Sequence, residues 1–232
     1  MRVAVFGASG RTGRELTGQA LDAGHEVVAV TRQPGQIPAR GGLAVAAADV
    51  RDKSQVDAAV AGVDAVVSAL GVSYTRAPVT TYSAGIANII GAMTKHGVTR
   101  LVVAGTAAVD PGYRASDSVF FTRVMEPLFM RIPGKTVYAD NVRMEKLIEA
   151  STLDWTIVRA CWLFDAPSVS DYLVRVGGVH AMYTARADLA ACLLAQLPAD
   201  HVRKTIAVIT TDGTPGLISQ IWHEGIRAPR QR

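Results

Sequence analysis

Three glycines spaced three residues apart follow a short apolar stretch near the start of the chain, in the run Val3-Ala4-Val5-Phe6-Gly7-Ala8-Ser9-Gly10-Arg11-Thr12-Gly13. Glycine lets the backbone turn sharply without Cβ clashes, and the N–H groups that open the next helix then point at an anionic ligand. The natural ligand of such a turn is a dinucleotide pyrophosphate, although the same spacing also occurs in ordinary tight strand-to-helix turns. The residues predicted to bind it are Gly7, Ser9, Gly10, Arg11, Thr12 and Gly13.

The residues after the next apolar stretch indicate which dinucleotide is bound. NAD-selective sites place Asp or Glu here, because a carboxylate accepts hydrogen bonds from the ribose hydroxyls and repels a 2′-phosphate. This chain has Thr31-Arg32 instead. A guanidinium beside the ribose pairs bidentately with a 2′-phosphate, and Arg11 could reach the same group. We therefore predict NADP(H) as the cofactor; the alternative is that Arg32 is a solvated loop charge.

The elements around the glycine turn have the order that a nucleotide-binding unit needs. An apolar strand precedes the turn, and the helix after it places Leu16, Ala20 and Leu21 on one face. A second strand is predicted over residues 25–30. Strand, glycine turn, helix and strand in this order form the βαβ unit that binds dinucleotides.

The same alternation of strands and helices continues along the chain. Gly97 is a C-cap signal for a long preceding helix. Further strands are predicted over 43–48, 64–71, 100–104 and 155–158, and further helices over 56–60, 80–96 and 138–150. We therefore predict an α/β protein with a Rossmann-type, doubly wound parallel β-sheet in a single domain.

Length and composition fit one domain with a substantial core, because the 232 residues are 49% hydrophobic and only 19% charged. We predict that residues 1–211 form the dinucleotide-binding domain, including the substrate pocket, and that residues 212–232 form a helical extension and tail. The extension carries one helical stripe, which docks on its own domain or forms a dimer or partner contact. The stripe consists of Leu217, Ile218, Ile221, Trp222 and Ile226.

Several other classes of protein do not fit. No stretch approaches the roughly 18 consecutive apolar residues that span a bilayer, and the first glycine comes too early for a secretory apolar segment. We expect a cytoplasmic protein with no membrane partner. The net charge is +4, but the basic residues are dispersed, so no nucleic-acid partner is predicted. Cys161 and Cys192 are interpreted as buried free thiols, and the scattered histidines predict no metal site.

Ligands of doubly wound sheets bind beyond the carboxyl ends of the strands, and this rule selects the remaining candidate site residues. Asp49 could accept a hydrogen bond from the adenine amino group; the alternative is an N-cap or turn residue before the next helix. The predicted cofactor contacts at the strand ends are Thr31, Arg32, Asp49, Val50, Ala69, Leu70, Gly71 and Thr106.

Several segments of this chain resemble those of a known family. They are the run from Gly7 to Gly13, Thr31-Arg32, Asp49-Val50, Ser68-Ala69-Leu70-Gly71, Asn141-Val142-Arg143-Met144-Glu145, Asp154-Trp155-Thr156-Ile157-Val158-Arg159 and Arg186-Ala187-Asp188-Leu189-Ala190. Together they resemble the atypical short-chain dehydrogenase/reductases, and most closely the NmrA-like NAD(P)H-binding proteins that include the biliverdin IXβ/flavin reductases. The resemblance covers about residues 1–211. It implies a Rossmann fold and a pyridine dinucleotide cofactor.

The chain departs from the larger short-chain superfamily at the catalytic acid. None of its tyrosines has Lys four residues on, so the Tyr-x-x-x-Lys pair that reduces carbonyls is missing. Ordinary alcohol dehydrogenation and sugar-nucleotide epimerisation are therefore not expected. Compared with the flavin and biliverdin reductases, Thr106-Ala107 replaces a Thr-Ser pair, and Asn141 and Trp162 stand where those enzymes carry histidines.

Some acceptors can be reduced without an acidic side chain of the protein, because their conjugated systems stabilise the added electrons and water supplies the proton. Flavins, quinones and linear tetrapyrroles are examples. The protein then mainly stacks the acceptor against the nicotinamide. Thr106 and Tyr138 are the predicted catalytic residues; alternatively, Thr106 only bonds a backbone group and Tyr138 only opens its helix. One apolar segment could form a lid over a planar substrate. The alternative is that this segment packs into the core or a dimer interface. The segment contains Phe120, Phe121, Val124, Met125, Leu128, Phe129 and Met130.

Two functions remain open at this point. The first is an NADPH-dependent reductase of a conjugated small-molecule acceptor, acting as a monomer or homodimer. The second is a non-catalytic redox sensor, similar to NmrA-like regulators, that binds NADP(H) without turnover. The missing Tyr-x-x-x-Lys pair permits both. We favour the reductase, because the chain is short and shows no evident regulatory domain.

Overall fold

The computed structural model describes residues 1–75, 77–115, 132–177 and 179–215. Its strands are β1 (Arg2–Phe6), β2 (Glu26–Thr31), β3 (Leu43–Ala47), β4 (Ala65–Ser68), β5 (Arg100–Thr106), β6 (Asp154–Ala160), β7 (Trp162–Phe164), β8 (Leu173–Val176), β9 (Tyr183–Ala185) and β10 (Lys204–Ile209). Its helices are α1 (Arg11–Asp22), α2 (Lys53–Val60), α3 (Thr81–His96), α4 (Ile132–Glu149) and α5 (Arg186–Ala195). Within these ranges, no helix combines the length and the apolar character that crossing a membrane requires.

Eight strands form one sheet in the order β3-β2-β1-β4-β5-β6-β10-β8, and β7 and β9 form a separate parallel pair. All neighbouring strands from β3 through to β10 run parallel. Six strands in the order 3-2-1-4-5-6, with helices on both faces, are the doubly wound Rossmann arrangement. The predicted fold class is therefore confirmed.

The edge strand β8 differs from the predicted parallel pattern, because it pairs with β10 in the antiparallel sense. Within the eight-stranded sheet β8 follows β6 along the chain, and the connection between them contains the short strand β7 and no helix. Parallel neighbours are usually reached by a crossover connection through an α-helix. A connection without a helix fits an antiparallel β8. The predicted strands include neither β8 nor β10.

The central strands are buried on both faces, because successive side chains point into two different cores. In β1, Ala4 and Phe6 belong to a core shared with α2, α3 and α4, whereas Val3 and Val5 belong to one shared with α1 and α5. This double burial explains the continuous apolar runs in the sequence.

The helix ends follow local signals. Gly97 ends α3 with a φ of 70°, which confirms the predicted C-cap. The Asp52 carboxylate caps α2 by accepting hydrogen bonds from the backbone N–H groups of Ser54 (2.9 Å) and Gln55 (3.1 Å). Because α4 already begins at Ile132, Tyr138 lies inside this helix, and the alternative that Tyr138 opens it is wrong.

Two predicted features lie outside the described residues. They are the apolar segment 120–130, with its hypothetical lid function, and the helical stripe 217–226. The division between a domain over 1–211 and an extension over 212–232 stays a prediction.

The N-terminus of α3 is capped by a side chain from another helix. The buried Asp140 carboxylate of α4 accepts hydrogen bonds from the backbone N–H of Tyr82 (2.8 Å) and from the N–H (3.3 Å) and hydroxyl (2.5 Å) of Ser83. Arg143 contacts the same carboxylate (3.0 Å) and donates to the Val79 carbonyl (2.8 Å). These bonds satisfy helix-end donors that would otherwise be orphaned, and they fix α3 and α4 to each other.

Replacing Asp140 with alanine should lower the free energy of unfolding by about 3 kcal/mol, because two N–H groups lose their acceptor and Arg143 loses its buried partner. Urea denaturation of the wild type and the variant measures this difference.

Asp57→Ala is the matched control. Asp57 pairs with Lys95 and His96 at the surface, so its loss should change the free energy of unfolding much less than the loss of Asp140 does. An effect of Asp140→Ala no larger than that of the control would contradict the capping role.

Candidate functional site

The glycine turn between β1 and α1 is built so tightly that two of its positions exclude any side chain. Gly7 has a φ of +80°, and a Cβ on it would lie 2.7 Å from the Ala69 carbonyl oxygen. A Cβ on Gly13 would overlap the Gly7 carbonyl oxygen and lie 2.8 Å from the Ala8 Cα. Glycine is therefore required at both positions, since it alone allows this backbone approach.

The start of α1 is open to an anion. Gly10 is the N-cap and has no side chain with which to cap the helix, so the N–H groups of Arg11, Thr12 and Gly13 receive no acceptor from it. The first turn contains no acidic residue, and the Arg14 guanidinium donates to the Ser9 carbonyl oxygen (2.8 Å). The N-cap without a side chain and the positive end of the helix dipole make this end of α1 a candidate phosphate-binding cradle.

The structure brings Ser9 and Thr31 together, as the predicted site requires. The Thr31 hydroxyl donates to Ser9 Oγ (2.7 Å) and accepts from the backbone N–H of Gln33 (3.0 Å). The turn and the end of β2 are also joined by the Gly7 and Ala8 N–H groups, which donate to the Val30 carbonyl oxygen (3.2 and 3.3 Å). Hydrogen bonds thus join the glycine turn to the end of β2, where the ribose of the predicted cofactor would lie.

Next to this edge lies Arg51, which the sequence analysis does not single out. Its Nε and Nη2 donate to Asp49 Oδ1 (3.1 Å) and Oδ2 (2.7 Å). These hydrogen bonds, with a smaller contribution from the charge of Arg32, lower the pKa of Asp49 to about 2. Arg32 itself is exposed at the end of β2. Asp49 is therefore held by Arg51, and the cap of α2 is Asp52 and not Asp49. A contact of Asp49 with adenine stays a prediction.

Val50 and Leu70 close the apolar side of the site against α3. A Cβ on Gly85 would lie 2.8 Å from Val50 Cγ2 and 3.4 Å from Leu70 Cδ1, so the absence of a side chain at Gly85 lets both residues pack on the helix. Asn88 donates to the Val50 carbonyl oxygen (3.0 Å). Ala69 also lies here, against Gly7.

An ion pair joins Arg11, at the start of α1, to the segment after β7. The Arg11 guanidinium contacts Asp165, which also pairs with Arg186 (2.8 Å). Partial burial raises the pKa of Asp165, but the hydrogen bond from Arg11 and the charge of Arg186 hold it below its usual value. Contact of Arg11 with a 2′-phosphate stays a prediction.

The two predicted catalytic residues have different surroundings. The Thr106 hydroxyl accepts a hydrogen bond from the Ala108 N–H (3.3 Å), which corresponds to the backbone-bonding alternative. The Tyr138 hydroxyl lies 2.8 Å from the hydroxyl of Tyr74, a second residue that the sequence analysis misses. A signal for Tyr74 exists, because it follows the end of β4 by a few residues at the ligand edge of the sheet.

Two of the family-pattern residues have structural partners. Buried Asn141 donates to the Val137 carbonyl oxygen within α4 (3.0 Å). Arg159 of β6 donates twice to Glu145 (3.1 and 2.7 Å) and once to Asp110 (2.7 Å). This ion network joins β6, α4 and the segment after β5.

Thiol and metal chemistry find no support in the described part of the chain. Cys161 and Cys192 are both buried, as predicted, and burial raises their pKa values to about 11 and about 12, so both keep their protons. Among the described residues, no three His, Cys, Asp or Glu side chains are grouped as metal ligands.

Comparison with known proteins gives a family and a set of related sequences. A family model described as NAD(P)H-binding matches residues 7–200. An uncharacterized protein of Mycobacterium tuberculosis is 39% identical over 103 residues, which are 44% of this chain and 12% of that protein. This chain thus matches only a small part of the length of its mycobacterial relatives.

Solved structures share the fold. A short-chain dehydrogenase/reductase from Veillonella parvula in complex with NADP has a TM-score of 0.75 at 17% identity, covering 91% of this chain and 95% of that one. ChuY, an anaerobilin reductase from Escherichia coli O157:H7, has a TM-score of 0.70 at 20% identity, covering 93% and 100%. At these identities the likeness establishes the Rossmann fold.

Gly13→Ala should abolish binding of NADP⁺ and NAD⁺ alike, because the new methyl group pushes α1 away from the strand end that it must approach. Isothermal titration calorimetry with each dinucleotide measures the effect.

Gly18→Ala is the control within the same helix. A Cβ at Gly18 meets nothing within 4 Å, so binding should be unchanged and the free energy of unfolding should rise by about 0.5–1 kcal/mol. Wild-type affinity in Gly13→Ala would refute the requirement for glycine there.

Proposed function

This chain belongs to the NAD(P)H-binding family, and from that premise we propose that it is a reductase that moves hydride from NADPH to a conjugated small molecule, such as a flavin, a quinone or a linear tetrapyrrole. The observation that carries the proposal is the glycine turn, where Gly7 and Gly13 exclude side chains and the N-cap Gly10 provides no side-chain cap to α1. When bound, the cofactor supplies the hydride from its reduced nicotinamide ring.

Each half of the dinucleotide has a candidate set of contacts. The pyrophosphate is assigned to Gly7, Gly10 and the N–H groups of Arg11, Thr12 and Gly13. The 2′-phosphate and adenine are assigned to Ser9, Thr31, Arg32, Asp49 and Val50. The nicotinamide half is assigned to Ala69, Leu70, Gly71 and Thr106, which follow β4 and end β5.

Three features support NADP(H) over NAD(H). Arg32 is exposed at the end of β2, where NAD-selective sites carry a carboxylate. Arg51 adds a second guanidinium beside this edge. Its pairing with Asp49 neutralises the carboxylate that would otherwise repel a 2′-phosphate.

The acceptor class follows from the catalytic groups. With no Tyr-x-x-x-Lys pair in the sequence, an acceptor that spreads the added electrons by conjugation is favoured over a simple ketone. The fold likeness to ChuY, an anaerobilin reductase, supports a tetrapyrrole-like acceptor as one of the candidates.

The second candidate function is a redox sensor of NmrA-like type that binds NADP(H) without turnover. The observation in its favour is the missing Tyr-x-x-x-Lys pair, because binding without turnover needs no proton donor. Whether the protein acts as a monomer or a homodimer stays a prediction for either function.

Arg32→Ala should weaken NADPH binding by about 10- to 100-fold, because hydrogen bonds between a charged pair contribute about 1.5–3 kcal/mol. NADH binding should change by less than about twofold. Arg40→Ala is the control, since Arg40 carries the same charge but pairs with Asp22 away from the strand end. Equal losses for NADPH and NADH would remove the 2′-phosphate assignment.

One assay separates the two functions. NADPH absorbance is followed with FMN, a quinone and biliverdin in turn, while the binding of NADP⁺ and NADPH is measured in parallel. Oxidation that depends on one of these acceptors supports the reductase. Tight binding with no oxidation by any of them supports the sensor.

A further inference from the structure

Two tyrosines meet at the ligand edge of the sheet. The hydroxyl oxygens of Tyr74 and Tyr138 lie 2.8 Å apart, and their rings pack edge to face with centroids 6.1 Å apart. Gly134 makes room for the pair, because a Cβ there would lie 2.6 Å from Tyr138 Cε2 and 3.1 Å from Tyr74 Cε1. The contact is therefore built into the packing between the segment after β4 and α4.

The segment that carries Tyr74 is fixed on both sides of this residue. The Val72 N–H donates to the Tyr82 hydroxyl (2.9 Å), and the Thr136 hydroxyl donates to the Thr75 carbonyl oxygen (2.8 Å). Two helices, α3 and α4, thus hold the backbone around Tyr74. A phenol held in this way has a defined position relative to the sheet edge.

Tyr74 is also close to the glycine turn along the chain. Tyr74 is the fifth residue after Ala69, whose carbonyl oxygen lies against Gly7, so the connecting chain spans at most about 18 Å. The carboxyl edge of the sheet is where ligands of doubly wound folds bind. Tyr74 lies at this edge with half of its residue surface exposed (50%).

We propose that Tyr74 is the proton donor of the reaction and that Tyr138 positions it, an inference that rests on the proposed reductase function. A tyrosine hydroxyl can accept one hydrogen bond while donating another. The 2.8 Å contact allows either hydroxyl to donate; in the proposed arrangement Tyr138 donates to Tyr74, and Tyr74 donates to the acceptor. The hydrogen bond from Tyr138 stabilises the phenolate that remains, which is the task that a lysine performs in the Tyr-x-x-x-Lys pair.

The resting state of Tyr74 suits a proton donor. Partial burial raises its pKa, and the hydrogen bond from Tyr138 lowers it by a smaller amount. Tyr74 therefore carries its proton at neutral pH.

The proposed reaction transfers one hydride and one proton to the acceptor. The acceptor gains a hydride from the reduced nicotinamide, whose C–H bond breaks, and the electron pair of the acceptor's conjugated π system moves to its carbonyl oxygen. The O–H bond of Tyr74 breaks as its proton moves to that oxygen. The phenolate then takes a proton from water. The acceptor is reduced by two electrons, NADPH is oxidised to NADP⁺ and one proton is consumed.

This geometry favours one acceptor class. A quinone or a conjugated carbonyl compound becomes an oxyanion when hydride is added, and this oxyanion needs a proton. A reduced flavin is stable as an anion near neutral pH and needs none. We therefore assign the site to conjugated carbonyl acceptors.

The test compares Tyr74→Phe and Tyr138→Phe with Tyr172→Phe, a phenol removed elsewhere on the chain. Tyr74→Phe should lower kcat for a quinone by about 100-fold and leave NADPH affinity within about twofold of wild type. Tyr138→Phe should lower kcat by about 10-fold and shift the alkaline limb of its pH profile to higher pH. Tyr172→Phe should match wild type, and urea denaturation checks that each variant is folded.

A second measurement does not depend on activity. The tyrosines are titrated by ultraviolet difference spectroscopy without cofactor. The transition of Tyr74 is the one that is present in Tyr138→Phe and missing from the Tyr74→Phe/Tyr138→Phe double variant. Tyr138→Phe should raise the pKa of this transition. An unmoved titration, or wild-type kcat in Tyr74→Phe with a quinone, would overturn the proposal. A wild-type protein that reduces no acceptor would count against the proposed reductase, and the titration would still decide whether the two phenols are coupled.

Discussion

Gly13, near the start of α1, packs directly against the carbonyl group of Gly7, and the geometry of the ligand edge depends on this backbone contact. Gly7 in turn packs against the Ala69 carbonyl at the end of β4. The two contacts bring α1, β1 and β4 close together at the ligand edge. A single methyl group at either glycine would push these elements apart, so the cradle and the sheet order are linked by one steric constraint.

Buried polar groups hold the loops of the ligand edge to the helices. Asp140 caps α3 from α4, and Asp188 of α5 accepts hydrogen bonds from the Ser170 N–H (2.7 Å) and hydroxyl (2.8 Å). Arg159 joins β6 to α4 through Glu145. Each of these groups is satisfied by several partners, so each specifies one arrangement of its loop. The functional side chains are thus positioned by rigid elements.

Charge is arranged around the cradle in a way that suits an anionic cofactor. Three groups of carboxylates near the strand ends are paired with arginines in the described residues: Asp49 with Arg51, Asp165 with Arg11 and Arg186, and Glu145 and Asp110 with Arg159. The pairing reduces the negative potential that these carboxylates would otherwise create. Exposed Arg32 therefore lies next to an edge whose carboxylates are largely neutralised.

The sequence by itself determined the Rossmann sheet, the glycine turn and the family, because apolar periodicity and glycine spacing are local properties that one stretch of chain expresses alone. The C-cap at Gly97 is also a local property, because glycine at the end of one helix is enough to predict it. Only the tertiary structure decided the partners of Arg11, Asp140 and Tyr138, and the antiparallel direction of β8. Asp140 reaches the start of α3 across 58 positions of sequence, and Tyr74 reaches Tyr138 across 64. Such contacts depend on how helices and loops pack on the sheet, and no local pattern encodes that packing.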